Sequence, residues 1–199
     1  MSDKLIEWLF GVLARPAATL NEISREKPVG LAVLVYVGVS VLAGLASFFV
    51  DQTYGSLQEI MTELNFYLPV SVVFVGIIFF AFASLFISCL LIHLFCRLFG
   101  GTGGYWNLLS AYAFASFPMI ISVPVVFLAG FLGVVGSVFS GVVSFGLSIW
   151  VLVLNVIAIR ESHGLSTGMS ILAYIIHFVI LIAIPLALVI FLVVALLAF

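Results

Sequence analysis

Residues 107–159 contain no charged side chain, and this feature most limits what the chain can fold into. An α-helix rises ~1.5 Å per residue, so a single helix of this length would measure about 80 Å, against a hydrocarbon layer of ~30 Å. A water-soluble domain needs polar residues to cover its surface and does not leave so long a segment uncharged. The segment therefore predicts membrane helices, and more than one of them.

Charged residues are also scarce elsewhere in the chain. It has six basic and eight acidic residues, and 7% of its residues are charged, whereas ~25% is typical of soluble proteins. Residues 1–27 hold more than half of these charges. This distribution excludes a soluble enzyme and a nucleic-acid-binding protein, and it predicts an all-α membrane protein. The charges beyond the first 27 residues are Asp51, Glu59, Glu63, Arg97, Arg160 and Glu161.

Uncharged stretches divide the chain into five predicted membrane spans. Because ~20 apolar residues cross the hydrocarbon layer, the long uncharged segment must contain two helices, with a turn near residues 129–134, where glycines cluster. The predicted domains are an N-terminal segment, 1–27, and a transmembrane domain, 28–199. The predicted spans are 29–50, 67–96, 107–129, 134–159 and 167–199.

The basic residues predict the orientation of this five-helix bundle. With five spans, the N-terminal segment and the loops 97–106 and 160–166 share one side, and they hold all six basic residues. The other side holds none, and its loop 51–66 carries three acidic residues. Since Lys and Arg accumulate in cytoplasmic loops, we expect the N-terminus in the cytoplasm and the C-terminus outside.

The N-terminal segment has the pattern of an amphipathic helix. Lys4, Glu7 and Arg15 lie on one helical face, and Leu5, Val12 and their apolar neighbours lie on the other. This pattern is typical of a helix that lies in the membrane interface. The alternative is a cytoplasmic lid that packs on the other helices. The sequence favours the interfacial helix.

A first group of candidate binding residues lies at the predicted cytoplasmic face. Backbone N–H groups of the Gly-rich loop, beside a basic side chain, suit a lipid phosphate. The alternative is a plain hairpin turn, which the sequence favours because paired glycines mark turns. The candidate lipid- or partner-binding residues are Arg97, Gly103, Gly104, Arg160 and His163.

A second group is polar and lies within the predicted spans. Polar residues in the hydrocarbon layer indicate a functional site by default, because they are expensive there. Hydrogen bonds between helices are the commoner use, and the sequence favours packing over a proton or ion relay. The members of this predicted polar cluster are Tyr112, Trp150, Asn155 and His177.

Residues 164–168 read G-x-S-x-G, the pattern around the nucleophile of many hydrolases. In hydrolases the serine lies on a turn between a strand and a helix, whereas here the motif joins two predicted membrane spans. We therefore expect Gly164 to end one helix and Ser166 or Thr167 to cap the next. The sequence predicts no catalytic residue, no cofactor and no metal site, so we do not expect an enzyme.

Several of these features together resemble the Yip-domain family, the Ypt/Rab-interacting proteins. An Ala-Arg-Pro start precedes five spans, a Gly-rich loop leads into the third span, and the fourth span ends in Glu-Ser-His-Gly-Leu-Ser. The positions that match the family pattern are Gly103, Gly104, Tyr112, Pro118, Trp150, His163 and Gly164.

The resemblance implies a non-enzymatic protein of membrane trafficking or membrane organisation. Eukaryotic members carry a long cytosolic region before the spans and bind Rab-type GTPases. Here that region is only 1–27, so the resemblance implies a compact prokaryotic member in the plasma (inner) membrane, not a Rab-binding protein.

We expect the protein to organise membrane lipids or partner proteins at its cytoplasmic face, without a nucleic-acid partner. Stripes of small residues in the spans predict close helix packing, within one copy or in a homo-oligomer. The alternative function is a small-solute or ion transporter or channel built from several copies, because five helices leave little room for a pathway.

Overall fold

A computed structural model of the protein describes residues 2–50, 59, 62–63 and 69–197, and these residues form helices and turns, with no strand among them. Most of the predicted acidic loop 51–66 lies outside the described residues. The α-helices are α1 (Ser2–Ala14), α2 (Pro16–Glu26), α3 (Val29–Val50), α4 (Val70–Leu98), α5 (Tyr105–Ala115), α6 (Ser122–Ala129), α7 (Gly133–His163) and α8 (Thr167–Leu197).

Four helical runs of the described residues are long and apolar enough to cross a membrane. Three of them correspond to single helices, α3, α4 and α8. The remaining run is 59 residues long and contains α5, α6 and α7. The four runs are Val29–Ala46, Ser71–Leu98, Tyr105–His163 and Thr167–Phe191.

The run Tyr105–His163 is a hairpin of two antiparallel arms. The chain reverses at the 3-10 turn Gly130–Leu132, within the turn that the sequence predicts, and Gly133 has a φ of 56°, which favours glycine. Beside this turn, a Cβ on Gly136 would overlap the carbonyl oxygen of Ala129. At the open end, the N–H of Thr102 donates to the carbonyl oxygen of His163 at 3.1 Å. The two arms therefore lie side by side both at the turn and at the open end.

The first arm changes direction at Pro118. After α5, a 3-10 turn at Phe117–Ile121 leads into α6. Helix α3 packs along this arm and against α4, and α8 packs against α4 and α7. The bundle is thus built around α5, and every described residue of α5 from Leu108 to Ala115 is buried.

Buried residues are concentrated at one end of the bundle, where α4 and α7 finish and α5 begins. We call this the basic end and define it as residues 2–27, 97–104 and 160–166, which include all six basic residues. Away from it, α7 has no buried residue between Gly136 and Leu154, and none of residues 178–187 of α8 is buried. The far half of the bundle therefore presents its side chains outward.

Helices α1 and α2 pack onto the basic end as a lid. Leu20 and Ile23 of α2, which packs on α5 and α7, are fully buried. Trp8 of α1 meets the ring of Phe114 edge-on, with centroids 5.7 Å apart. The segment is helical and amphipathic as its pattern predicts, and the packing is that of the lid interpretation. The large apolar side chains that it exposes are Ile6 and Phe10.

Polar contacts hold the lid in place. The side-chain N–H of Asn21 donates to the Glu161 carboxylate at 2.8 Å and so joins α2 to the end of α7. The Lys4 ammonium donates to the Glu26 carboxylate, and this hydrogen bond raises the pKa of Lys4 above its ordinary value. Lys4, and Trp8 through its bond to Glu22, therefore join α1 to α2.

The Gly-rich loop 99–104 lies tightly against the end of α7. Gly100 has a φ of 84°, in the left-handed region. A Cβ on Gly103 would overlap the carbonyl oxygen of Ser162, and a Cβ on Gly101 would lie 3.0 Å from the Cβ of His163. Close packing requires these two glycines, so the loop is a tight turn, in line with the turn interpretation.

We predict that Gly103→Ala destabilises the protein. The added methyl group would push the loop off the Ser162 carbonyl, and such overpacking typically costs ~1–3 kcal/mol. The midpoint of thermal unfolding in detergent should fall by several degrees. Gly141→Ala is the matched control, because a Cβ there meets nothing within 4 Å and alanine is the better helix former. Equal midpoints for the two variants would contradict the close contact.

We predict that Leu20→Ala releases the lid. Removing a fully buried leucine side chain costs ~2–5 kcal/mol, and here that loss falls on the contact between α2 and the bundle. Limited trypsin digestion should cut faster after Arg25 in this variant, as followed by mass spectrometry. The control is Ile6→Ala, whose side chain is exposed and whose digestion should match the unmodified protein. An unchanged rate for Leu20→Ala would show that the lid does not depend on this contact.

Candidate functional site

The structure places the two predicted arginines of the first group at the basic end, in different electrostatic environments. Arg97 is exposed, and its acceptor among the described residues is the Gly101 carbonyl oxygen at 3.4 Å. Arg160 forms an ion pair with Glu161, with Nη2 2.7 Å from Oε1. Arg97 therefore offers its charge to the surroundings, whereas the charge of Arg160 is compensated within the protein.

The basic end also carries other cations and exposed apolar side chains, on the lid helices α1 and α2. In the part of the chain that the structure describes, the lid exposes three basic residues for which no ion pair is formed. The same helices expose Ile6 and Phe10. Basic and bulky apolar side chains together are typical of a surface that lies at the headgroup level of a membrane. The three basic residues are Arg15, Arg25 and Lys27.

The two predicted glycines and His163 have internal roles. Gly103 is in contact with Ser162, and Gly104 is the residue that precedes the first turn of α5. His163 is only 1% exposed. Its backbone and ring both take part in the contact between loop 99–104 and α7. Gly103 and His163 therefore shape the packing of the basic end, whereas Gly104 is exposed at its surface.

His163 belongs to a chain of hydrogen bonds. Nε2 of His163 lies 2.9 Å from Nδ1 of His93, and its Nδ1 lies 3.0 Å from the hydroxyl of Ser162. That hydroxyl donates to the carbonyl oxygen of Ile159 at 3.1 Å. The tautomers of the two rings set which atoms donate in the two contacts of His163.

In a catalytic serine–histidine pair the hydroxyl donates to the imidazole that will take its proton, whereas the Ser162 hydroxyl donates to the Ile159 carbonyl oxygen. Ser162 is also buried, with 6% of its surface exposed. Within the described residues, no three His, Cys, Asp or Glu side chains come together around a metal position. The chain of hydrogen bonds therefore serves to orient the helix ends.

Sequence reasoning missed His93. It is the single histidine of a mostly apolar helix, and nothing in its spacing points across to α7. The available signal was its position one turn before Arg97, because residues four apart share a helical face. That placement puts His93 at the same end of α4 as the Gly-rich loop.

The second predicted group is divided by the structure. Tyr112 and Asn155 line a cavity of about 300 Å³ between α3, α5, α7 and α8, together with Tyr36, Tyr174, serines and apolar residues. Asn155 is 5% exposed, and its Nδ2 donates to the Tyr174 hydroxyl at 3.4 Å. Its Oδ1 has no hydrogen-bond partner among the described residues. A buried polar atom without a hydrogen-bond partner lowers the stability of a protein by ~1–3 kcal/mol.

His177 and Trp150 lie outside this cavity. The ring of His177 is buried beside that of Tyr174, with centroids 5.8 Å apart. Neither ring nitrogen of His177 has a hydrogen-bond partner among the described residues. Trp150 is half exposed on the surface of α7. The four predicted residues therefore do not form one cluster: two of them line the cavity, and the other two lie outside it.

The G-x-S-x-G residues form helix ends, as the sequence predicts. Gly164 has a φ of 66° and its N–H donates to the Arg160 carbonyl oxygen at 2.9 Å, which ends α7. The Ser166 hydroxyl accepts from the N–H of Met169 at 3.3 Å and caps α8.

Comparison with known proteins identifies the family. The family model described as the Yip1 domain matches residues 10–198, nearly the whole chain. No curated protein and no solved structure matches the chain. The match confirms the resemblance, and the apolar helical runs agree with it. The chain belongs to the Yip1 domain family, a family of membrane-trafficking proteins that is not known for enzymatic activity, and it is an integral membrane protein.

Proposed function

We propose that the protein crosses the membrane five times, with its basic end in the cytoplasm and its C-terminus outside. The run Tyr105–His163 supports the fifth crossing, because it reverses at Gly130–Leu132 and its arms lie side by side. The position of all six basic residues at one end supports the orientation. In this arrangement residues 1–27 form a cytoplasmic segment and residues 28–199 the transmembrane domain of a prokaryotic plasma-membrane protein.

The orientation is tested with reporters that are active on only one side of the membrane. We expect a periplasmic alkaline phosphatase fused after Phe199 to be active and the same enzyme fused before Met1 to be inactive. A third fusion within loop 99–104 would disturb packing, so the internal control is placed after Glu63, where we expect activity. An inactive fusion after Phe199 would contradict the five-span arrangement.

We further propose that the protein organises lipids or partner proteins at its basic end, without catalysing a reaction. The observation that carries this proposal is that uncompensated cations, Arg97 among them, and the exposed Ile6 and Phe10 all belong to the basic end. Anionic headgroups lie at the depth where this surface would meet the cytoplasmic leaflet, and each nearby basic residue is worth ~1 kcal/mol there. Lipids are therefore the ligands that the surface fits best.

The two arginines provide a test with equal changes of charge. We predict that Arg97→Gln lowers the amount of phosphatidylglycerol that stays bound in native mass spectrometry, by roughly fivefold for a loss of ~1 kcal/mol. Arg160→Gln should lower it less, because Glu161 already compensates that charge.

Three outcomes decide this test. Equal loss in both variants would show that net charge matters and the arrangement of the basic end does not. Recovery of bare monomer from several mild detergents would contradict a role in organising lipids or proteins. Recovery of a bound polypeptide whose retention depends on Arg97 would assign the surface to a protein partner instead of lipid.

A further inference from the structure

The cavity between α3, α5, α7 and α8 adjoins an apolar groove on the outside of the bundle. The groove runs between α7 and α8, has a volume of about 480 Å³, and is lined by apolar side chains such as Val156, Ile171 and Phe178. Leu152 and Tyr174 line both the cavity and the groove. A partly polar cavity and an apolar groove thus meet at these two side chains.

Asn155 supplies the polar group that a molecule in the cavity would meet. The O and N atoms of an amide are assigned from their hydrogen bonds, and the group can be turned over. In one orientation Nδ2 donates to the Tyr174 hydroxyl, and in the other Oδ1 accepts from it. Either orientation leaves one amide atom without a partner among the described residues. A ligand hydroxyl would satisfy either atom, because it donates and accepts.

The lining of the cavity excludes a charged ligand. The described residues around it are tyrosines, serines, Asn155 and apolar residues, and none of them is charged. An ionised group buried among them would lack a counter-charge, which is costly at this depth. The volume of about 300 Å³ lies at the lower limit of small-molecule sites. The cavity therefore suits a small uncharged head group.

We propose that the cavity and the groove together bind an uncharged lipid that carries a free hydroxyl group, such as a long-chain alcohol or an acylglycerol. The hydroxyl bonds to the amide of Asn155 beside Tyr174, and the hydrocarbon chain lies in the groove between α7 and α8. This site is independent of the function proposed for the basic end, because neither Arg97 nor the lid lines it.

The test uses probes with one hydrocarbon chain and different head groups. Tritiated oleyl alcohol is bound to the full-length protein in detergent and displaced with unlabelled oleyl alcohol, 9-octadecene or oleate. We expect 9-octadecene to bind about three- to tenfold more weakly than the alcohol, the range for loss of one neutral hydrogen bond. We expect oleate to compete more weakly than the alcohol, because its carboxylate has no counter-charge in the cavity.

Variants locate the hydrogen bond. Asn155→Leu has a side chain of similar size without polar atoms, so oleyl alcohol should lose its three- to tenfold advantage while 9-octadecene binds as before. Tyr174→Phe is a milder second variant and should reduce the advantage in part. Trp150→Phe is the matched control on the same helix, outside both the cavity and the groove, and should change nothing. Size-exclusion profiles confirm that each variant is folded.

The proposal is overturned if alcohol and alkene displace the label equally from the unmodified protein, or if oleate displaces it best. It is also overturned if folded Asn155→Leu and Tyr174→Phe both keep the full preference for the alcohol. Because the comparison of probes needs no substitution, a variant that does not fold leaves the decision to the unmodified protein and to Tyr174→Phe.

Discussion

The contact between the Gly-rich loop and the last turn of α7 holds the rest of the structure together. Gly103 lies on the Ser162 carbonyl, and the backbone of Thr102 bonds to that of His163. Through this contact α4 and α5 are joined to α7. The adjacent Glu161 accepts from Asn21 and adds the lid. Helices α4, α5 and α7 and the lid therefore meet within a few residues of the end of α7. Glycine is needed at Gly103 because a larger side chain would keep the two backbones apart.

The ion pairs of the described residues are concentrated at the basic end. The Arg160–Glu161 ion pair and the bonds between the lid helices belong to the basic end, and His163 links it to His93, one turn before Arg97. Inside the bundle the cavity around Asn155 is the contrasting case, because there a polar group is buried and incompletely paired. The interactions at the basic end join helix ends to one another, whereas the Asn155 amide keeps one atom without a hydrogen-bond partner.

Much of the fold follows from the sequence, because membrane helices and their ends have strong local signals. The lack of charge in 107–159 and its glycines predict two helices and a turn, and the structure has its turn at Gly130–Leu132. Gly164 and Ser166 act as helix ends because their local chemistry requires no distant partner.

The candidate site was harder to predict, because it depends on contacts between distant helices. His93 gives no sign of His163, seventy residues later. The exposure of Trp150 and the burial of Asn155 depend on the direction in which each face of α7 points. A helix in lipid carries apolar residues on all of its sides. The sequence therefore does not show which face packs against the other helices.

The uneven packing of α7 and α8 gives the molecule two halves with different mechanical properties. At the basic end the helices hold one another, whereas residues 137–153 of α7 and 178–187 of α8 contain no buried side chain. Their outward side chains face lipid in a membrane, and tilting is one way in which helices adapt to a bilayer of different thickness. Ser148 and Asn155 of the cavity lie at the boundary between the halves. A change in bilayer thickness would therefore alter the width of the cavity while the basic end keeps its shape.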